Sequence, residues 1–415
     1  MKIAIVGATG EVGRMVLTCL GEFGIEFEVL DLYASARSAG QKIHYQSGIV
    51  ATASQPLSSE SSLSVTSTGN AGILPAINDY SGFFAGKMPA FPVEVTASMV
   101  RPSGRGGSVK TVLEFTPDSL KKGYDYVFFT AGGAISREYA HIAVEHGATV
   151  IDNSSAFRQV ENIPLVVPEV NGDILKSYKG IIANPNCSTI QLVLVLKLLS
   201  DYKKIKKVVV TTMQSVSGTG HSGIVELQNQ RNGSDEIKVY PRKIDLNVIP
   251  QIGDFVDSKE LQVTSYKLQE APPPTPPQKH RGKLWHYMGG ADRYCQEEQK
   301  MTFETRKILN IPDFNLVATT VRVPVIYGHS ESVYVEFEEE VNLFEIKQLI
   351  SNNKAVIYDE NYSTPLEIGD SNLSHVSRLR YAGDNNSIFF WNVANNVRLG
   401  AATNAVKILK SLISN

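Results

Sequence analysis

The segment KIAIV at residues 2–6 leads directly into GATGEVG at 7–13, and no other feature of the chain constrains the fold so tightly. So short a run of aliphatic and β-branched side chains suits a strand buried on both faces in a parallel sheet. From residue 15 to 20 the apolar side chains return at helical spacing. Strand, glycine turn and helix in that order open a doubly wound sheet. Gly7, Gly10 and Gly13 let the backbone approach a pyrophosphate, which would lie at the positive end of the following helix. Thr9, Glu11 and Val12 sit between those glycines and belong to the same expected cofactor-binding turn. A glycine pattern alone is weak; its place between strand and helix gives it weight.

Further apolar runs at 27–34, 126–130, 148–152 and 181–183 supply more strands, and a helix is expected after Gly133, through 142–145. A chain of 415 residues exceeds what one core usually serves, so two domains are expected. Residues 189–199 read as a buried helix. The segments 207–213, 316–325 and 332–337 read as strands of an antiparallel or mixed sheet in the second domain. Residues 397–413 have helical spacing. Between 41 and 108 Ser, Gly, Thr and Pro cluster, with RPSGRGG at 101–107 as loop, which reads as an insertion. APPPTPP at 271–277 and the polar stretch to 292 form a second irregular region.

The formal net charge is −2 and no basic block occurs, which argues against a nucleic-acid partner. A small anionic substrate remains compatible, because a few placed cations suffice. Three widely spaced cysteines, Cys19, Cys187 and Cys295, suit neither a disulfide framework nor a metal knuckle. With no signal-peptide pattern and no apolar run of spanning length, a reducing, cytoplasmic setting without membrane attachment is expected.

Cys187 is the sharpest candidate for chemistry. It stands in NPNCST, immediately before the apolar helix, where the helix dipole favours a thiolate. Cys19 reads as core and Cys295 as partly buried. A nucleophilic thiol needs a base, and His329, in a polar turn between two expected strands, is preferred over His221. Arg322 lies within an apolar strand, where a guanidinium calls for an anion such as a substrate carboxylate. Arg158, after a strand end, and Lys300, one helical turn from Glu297, could complete an anion site; a solvated Glu297–Lys300 pair is the plainer alternative. Asp31 lies where an NAD enzyme often keeps its ribose-binding acid, yet Ser35, Arg37 and Ser38 at the strand's end suit a 2′-phosphate better, so NADP is expected.

These blocks together resemble the aspartate-semialdehyde dehydrogenase family. The resemblance rests on GATGEVG (7–13), ASARSAG (34–40), IDNSSAFR (151–158), VPEVN (167–171), NPNCSTI (184–190), QSVSG (214–218), NVIPQI (247–252) and RVPVIYGH (322–329), in that order. It implies a Rossmann-like dinucleotide-binding domain over 1–186, interrupted at about 46–108 and completed by a C-terminal helix at about 396–415. An α+β catalytic and dimerisation domain would fill 187–395, interrupted at about 256–292. It further implies Cys187 as acyl carrier, His329 as acid/base and Gln214 as an orienting residue. Arg322 would bind the substrate carboxylate with Glu297 assisting, Arg158 and Lys300 would bind phosphate, and Asn186 would flank the thiol. Ser217, Gly218 and Asn396 would join the glycine turn in contacting NADP. The implied activity is reversible, NADP-dependent reductive dephosphorylation of aspartyl phosphate by a homodimer or tetramer. An N-acetyl-glutamyl-phosphate reductase-like enzyme and a catalytically silent nucleotide-binding relative are the alternatives.

Overall fold

A computed structural model describes residues 1–46, 107–256 and 294–414. The interiors of both expected insertions, with the APPPTPP stretch, lie outside the described residues.

The first half supplies β1 (Lys2–Val6), α1 (Glu11–Glu22), β2 (Val29–Ala34), β3 (Lys42–Gln46), β4 (Gly107–Thr111), β5 (Leu113–Glu114), β6 (Tyr126–Phe129), α2 (Gly133–Glu145), β7 (Thr149–Asp152), α3 (Pro168–Asn171) and β8 (Ile181–Ala183). Six of these strands form a parallel sheet in the order β5-β2-β1-β6-β7-β8. The order reverses between β1 and β6, which opens a crevice at the strands' carboxyl ends where dinucleotides bind in such folds. Gly13 packs α1 onto β1, because a Cβ there would run into the Gly7 carbonyl and lie 2.8 Å from Ala8 Cα. The irregular reading of 41–108 fails at its ends: β3 and β4 pair antiparallel, Lys42 opposite Thr111 and Gln46 opposite Gly107. Ile43 is buried there, and that single apolar contact was too little to make a periodic signal.

The second half supplies α4 (Cys187–Tyr202), β9 (Ile205–Gln214), α5 (His221–Arg231), α6 (Gln296–Leu309), β10 (Leu316–Arg322), β11 (His329–Phe337), α7 (Leu343–Ser351), β12 (Val356–Asp359), β13 (Ser374–Tyr381), β14 (Ser387–Ala394) and α8 (Asn404–Ile413). Its mixed sheet runs β10-β9-β11-β14-β13-β12. Helix α4 is apolar on every side because one core joins it to both sheets: Ile190, Val193 and Leu196 share a cluster with Val127 and Val150 and with Val208 and Val335.

Three expectations need correction. The strand expected over 316–325 stops at Arg322, whose N–H and C=O pair with Ile249 instead. The C-terminal helix begins as a π-helical turn, Arg398–Thr403, before α8 continues. Its apolar face, with Ala405, Val406, Ile408 and Leu409, packs into the core containing Ile3, Ile5 and Leu32. Cys295 is fully buried, with its sulfur 3.1 Å from Thr320 Oγ1, because the residue before α6 faces strand β10.

Glu331 is buried beneath α4, bonded by Asn392 Nδ2 at 2.9 Å. Burial pushes its carboxyl up to about 8, against the opposing pull of Gln191 and Asn392. A folded-state value raised above the unfolded one gives stability that is full below about 4.5 and lost as pH rises through about 8. Melting temperature should therefore fall between pH 6 and pH 9 more steeply for the native protein than for Glu331→Gln; parallel melting profiles would contradict this.

Candidate active site

Cys187 opens α4, and its position is set by the residue before it. Asn186 caps the helix, its Oδ1 accepting the N–H groups of Ser188 and Thr189 at 2.9 and 3.3 Å; such a cap contributes about 1 kcal/mol. The π-helical turn packs against the thiol's other side, and a Cβ at Gly400 would lie 2.6 Å from Cys187 Cβ. His329 Nε2 lies 3.2 Å from Cys187 Sγ. His329 is not in a loop, as its polar neighbours suggested, but is the fully buried first residue of β11, held by pairing with Ala394. Its Nδ1 meets the backbone N and the Oγ of Ser215, each at 3.1 Å.

Helix α6 brings the charged groups. Glu297 is buried and accepts from Asn186 Nδ2 at 2.8 Å and Gln214 Nε2 at 3.2 Å. Lys300 stands 3.6 Å from Glu297, and the carboxylate's burial excludes a merely solvated pair. Arg158 is 9% exposed; Nε donates to the Asn184 carbonyl at 2.9 Å, Nη2 to the Asn153 carbonyl at 3.0 Å and Nη1 to Glu304 at 3.3 Å. Arg322 donates to the Ser215 carbonyl at 2.6 Å and borders a cavity of about 450 Å³ shared with Tyr240, Gln251 and Asp254. Thiol, imidazole, two guanidiniums, an ammonium and a buried carboxylate thus converge.

The dipole reading of Cys187 meets an opposing force. Burial pushes the thiol up to about 12, Glu297 adds to the rise, and Arg158, Arg322 and the Ser188 N–H pull it down. Burial, then Arg322, holds His329 well below its ordinary value, with the Gly328 backbone opposing. Burial thus works against charge on both members of the pair. Burial would raise Glu297, but Lys300, Asn186, Arg322 and Gln214 outweigh it and keep its carboxyl below the usual value.

The glycine turn faces the crevice, with Gly10 capping α1 and the Gly7 and Ala8 N–H groups tied to the Tyr33 carbonyl. Thr9 and Val12 are half-buried there. Glu11 meets His221 at 3.5 Å and Tyr327 Oη at 3.4 Å; His221 is mostly exposed and turns to Glu11 rather than joining the thiol. Ser35, Arg37 and Ser38 lie in the turn after β2, with Arg37 exposed. Asp31 is engaged by Tyr124 Oη and by Lys122 at 3.7 Å. Asn396 is buried; its Oδ1 accepts the Gly328 N–H at 2.9 Å and meets Ser215 Oγ at 3.1 Å and Ser217 Oγ at 3.2 Å. Gly218 lies against Arg322 and His329.

Four residues were missed by sequence reasoning: Ser215, Glu304, Lys307 and Gly400. Glu304 binds Arg158 and also accepts the Asn186 N–H at 2.6 Å. Lys307 donates to the carbonyls of Arg158, Val160 and Ile163 at 3.0, 2.7 and 2.9 Å. A signal existed for two of them, since Glu304 and Lys307 continue the 297/300 face of α6 at helical spacing.

Two family models match the chain. One, described as semialdehyde dehydrogenase, NAD binding domain, covers residues 2–71 and 91–178. The other, described as semialdehyde dehydrogenase, dimerisation domain, covers 196–399. The aspartate-semialdehyde dehydrogenase of Aquifex aeolicus is 34% identical over 99% of this chain and 98% of its own length. Aspartate-semialdehyde dehydrogenase 2 of Vibrio cholerae is 38% identical over 99% and 97%. The crystal structure of the Vibrio cholerae aspartate semialdehyde dehydrogenase II complexed with ASA superposes with a TM-score of 0.74 at 31% identity, covering 100% of this chain and 98% of that one. With two family models matching across both domains and relatives more than 30% identical over almost the whole chain, the chain belongs to the aspartate-semialdehyde dehydrogenase family.

Proposed function

We propose that this oxidoreductase reversibly converts L-aspartyl 4-phosphate to L-aspartate 4-semialdehyde with NADP, through a thioester on Cys187, in lysine, threonine and methionine biosynthesis. The observation that carries the reading is the 3.2 Å contact between Cys187 Sγ and His329 Nε2 at the mouth of α4, with cations on either side. The relatives' shared name and the ASA complex of the Vibrio cholerae enzyme support the substrate. The domain boundary falls at 186/187, where the cap meets α4. A homodimer is supported by the description of the second family model; two dimers would make the tetramer.

The residues present fit a dinucleotide. A glycine turn, a helix N-terminus and a strand-order reversal meet at one crevice, and a Cβ at Gly7 would collide with Thr130 and Ala131 across it. Gly7, Thr9, Gly10, Glu11, Val12 and Gly13 would hold the pyrophosphate end, and Ser217, Gly218 and Asn396 the end near the thiol. When bound, the nicotinamide accepts or supplies the hydride. Asp31 is tied to Tyr124 in mid-strand, whereas exposed Arg37 stands at the strand's end, which supports NADP over NAD.

In the oxidative direction Cys187 gives its Sγ–H proton to His329 as the sulfur attacks the aldehyde carbon, with Arg322 and Glu297 orienting the amino-acid end. The imidazolium returns that proton to the new alkoxide to give a thiohemiacetal. His329 takes the thiohemiacetal hydroxyl proton as hydride departs, leaving a thioester. Phosphate held by Arg158 and Lys300 then attacks the thioester carbon, the C–S bond breaks, and the sulfur leaves as thiolate with the acyl phosphate released. Covalent capture separates hydride transfer from phosphate transfer.

Cys187→Ser should lower turnover by roughly three orders of magnitude while retaining NADP binding. A serine variant with near-native rates in the semialdehyde assay would refute the thioester. Arg37→Ala should raise the KM for NADP ~10-fold and leave that for NAD almost unmoved; equal effects on both would argue against a 2′-phosphate contact. Arg158→Ala should raise the KM for phosphate ~10- to 100-fold, as loss of charge-assisted bonds predicts. Unchanged phosphate saturation would remove Arg158 from that site.

A further inference from the structure

Ser215 touches the imidazole and the carboxylate-binding guanidinium through three atoms. Its N–H and Oγ both reach His329 Nδ1 at 3.1 Å, and its carbonyl accepts from Arg322 at 2.6 Å. We infer that the Ser215 hydroxyl is a positioning group that lets His329 act as base toward Cys187, by accepting an Nδ1–H bond whenever the ring presents a bare Nε2 to the sulfur. The inference rests on the proposed roles of Cys187 and His329.

The geometry poses a tautomer problem. A backbone N–H can only donate, so Ser215 N–H bonds a bare Nδ1 and leaves a neutral ring with its proton on Nε2, facing sulfur. In that tautomer His329 has no lone pair for the thiol proton. The useful tautomer carries Nδ1–H and needs an acceptor. Among the described residues both hydrogen-bond partners of Nδ1 are on Ser215, and only Oγ can accept.

The neighbours give that hydroxyl an acceptor other than the imidazole. Asn396 Oδ1 receives the Gly328 N–H at 2.9 Å, and a backbone donor there identifies the atom as the amide oxygen. Ser215 Oγ lies 3.1 Å from the same oxygen and 3.2 Å from Ser217 Oγ; with its proton donated to Asn396, a lone pair is free to face Nδ1. Proton transfer then balances simply. The Cys187 Sγ–H proton moves to Nε2, the electron pair stays on sulfur, and the imidazolium gives up the bond from the Ser215 N–H and holds Nδ1–H against Ser215 Oγ. Other charges around the pair are Arg322 on β10, Glu297 on α6, Arg158 on the loop after β7 and Glu331 on β11 itself, and none of them is changed by substituting Ser215.

The test is iodoacetamide alkylation of Cys187 in the full chain, followed against pH by mass spectrometry, for native protein, Ser215→Ala and Ser215→Thr. With Ser215→Ala the rate at pH 7 should fall ~10-fold and the midpoint should rise by about one unit, as loss of one stabilising bond to the charged pair predicts. Ser215→Thr, which keeps the hydroxyl, should follow the native profile. Melting temperature, measured in parallel, separates a change in thiol reactivity from a loss of fold. A Ser215→Ala profile superimposed on the native one, or a Ser215→Thr profile matching Ser215→Ala, overturns the inference. Absence of Cys187 alkylation in native protein that is otherwise active would overturn the nucleophile reading, and the inference with it.

Discussion

A partly buried thiol and a fully buried imidazole, 3.2 Å apart, are the contact on which the rest of the site depends. Burial favours the neutral form of each. The helix dipole, whose effect is of the order of 1 kcal/mol, opposes that burial only weakly. Reactivity has to come from groups that stabilise charge as it forms. Arg158 and Arg322 do so for sulfur, while Arg322 works against a proton on His329. The same guanidinium thus helps one partner and hinders the other. That tension makes the alignment of the pair, rather than the acidity of either member, the quantity the fold must control.

Helix α6 supplies much of that control. Glu297, Lys300, Glu304 and Lys307 follow one another at spacings of three, four and three, so they share a face. Each except Lys300 is bonded to a different piece of backbone or amide: Glu297 to Asn186 and Gln214, Glu304 to Arg158 and the Asn186 N–H, and Lys307 to three carbonyls around Arg158. Burial pushes Lys307 down to about 8 and Glu304 upward, the latter against Arg158. Charge on these groups carries a desolvation cost, which their multiple bonds oppose. What the arrangement accomplishes is registration. The loop after β7 and the cap of α4 come from the first sheet's side, Gln214 from the second, and one helix face fixes all three.

How much of this could be read from residues follows from the range of the forces involved. Strands β1 and β8 were legible to the residue because burial on both faces leaves a contiguous apolar run. Helix α4 was legible for the same reason. Cys187, Arg322 and His329 were singled out from their local sequence, and Asn186 and Gln214 through the resemblance, but the depth of His329 was not legible. A polar tetrapeptide reads as a turn, and only pairing with β14, some sixty residues later, makes it a strand start. Cys295 was misplaced likewise, since its burial is decided by Thr320 across the packing of α6 on β10. The π-helical turn, set by Gly400 against the thiol, has no local signature. Ser215 escaped notice because a serine beside Gln214 is unremarkable until the ring of His329 is known to lie over it.

The crevice between β1 and β6 shows how one stretch of chain serves both ends of the site. Tyr327 reaches Glu11 at the start of α1, Gly328 donates to Asn396, and His329 meets the thiol. Three consecutive residues thereby run from the glycine turn to the thiol. Their course is possible because β10 stops at Arg322: had that strand continued to 325 as its apolar residues suggested, the chain would have stayed in the sheet plane. Instead Val323 pairs with the Gln214 carbonyl, and Val216 and Ser217 bond the carbonyls of Val325 and Ile326. The connection is thus stitched to the segment that carries Ser215. An arginine ending a strand early is costly in a sheet interior. Here it releases the backbone that brings His329 to Cys187, and its guanidinium returns to the Ser215 carbonyl to close the loop.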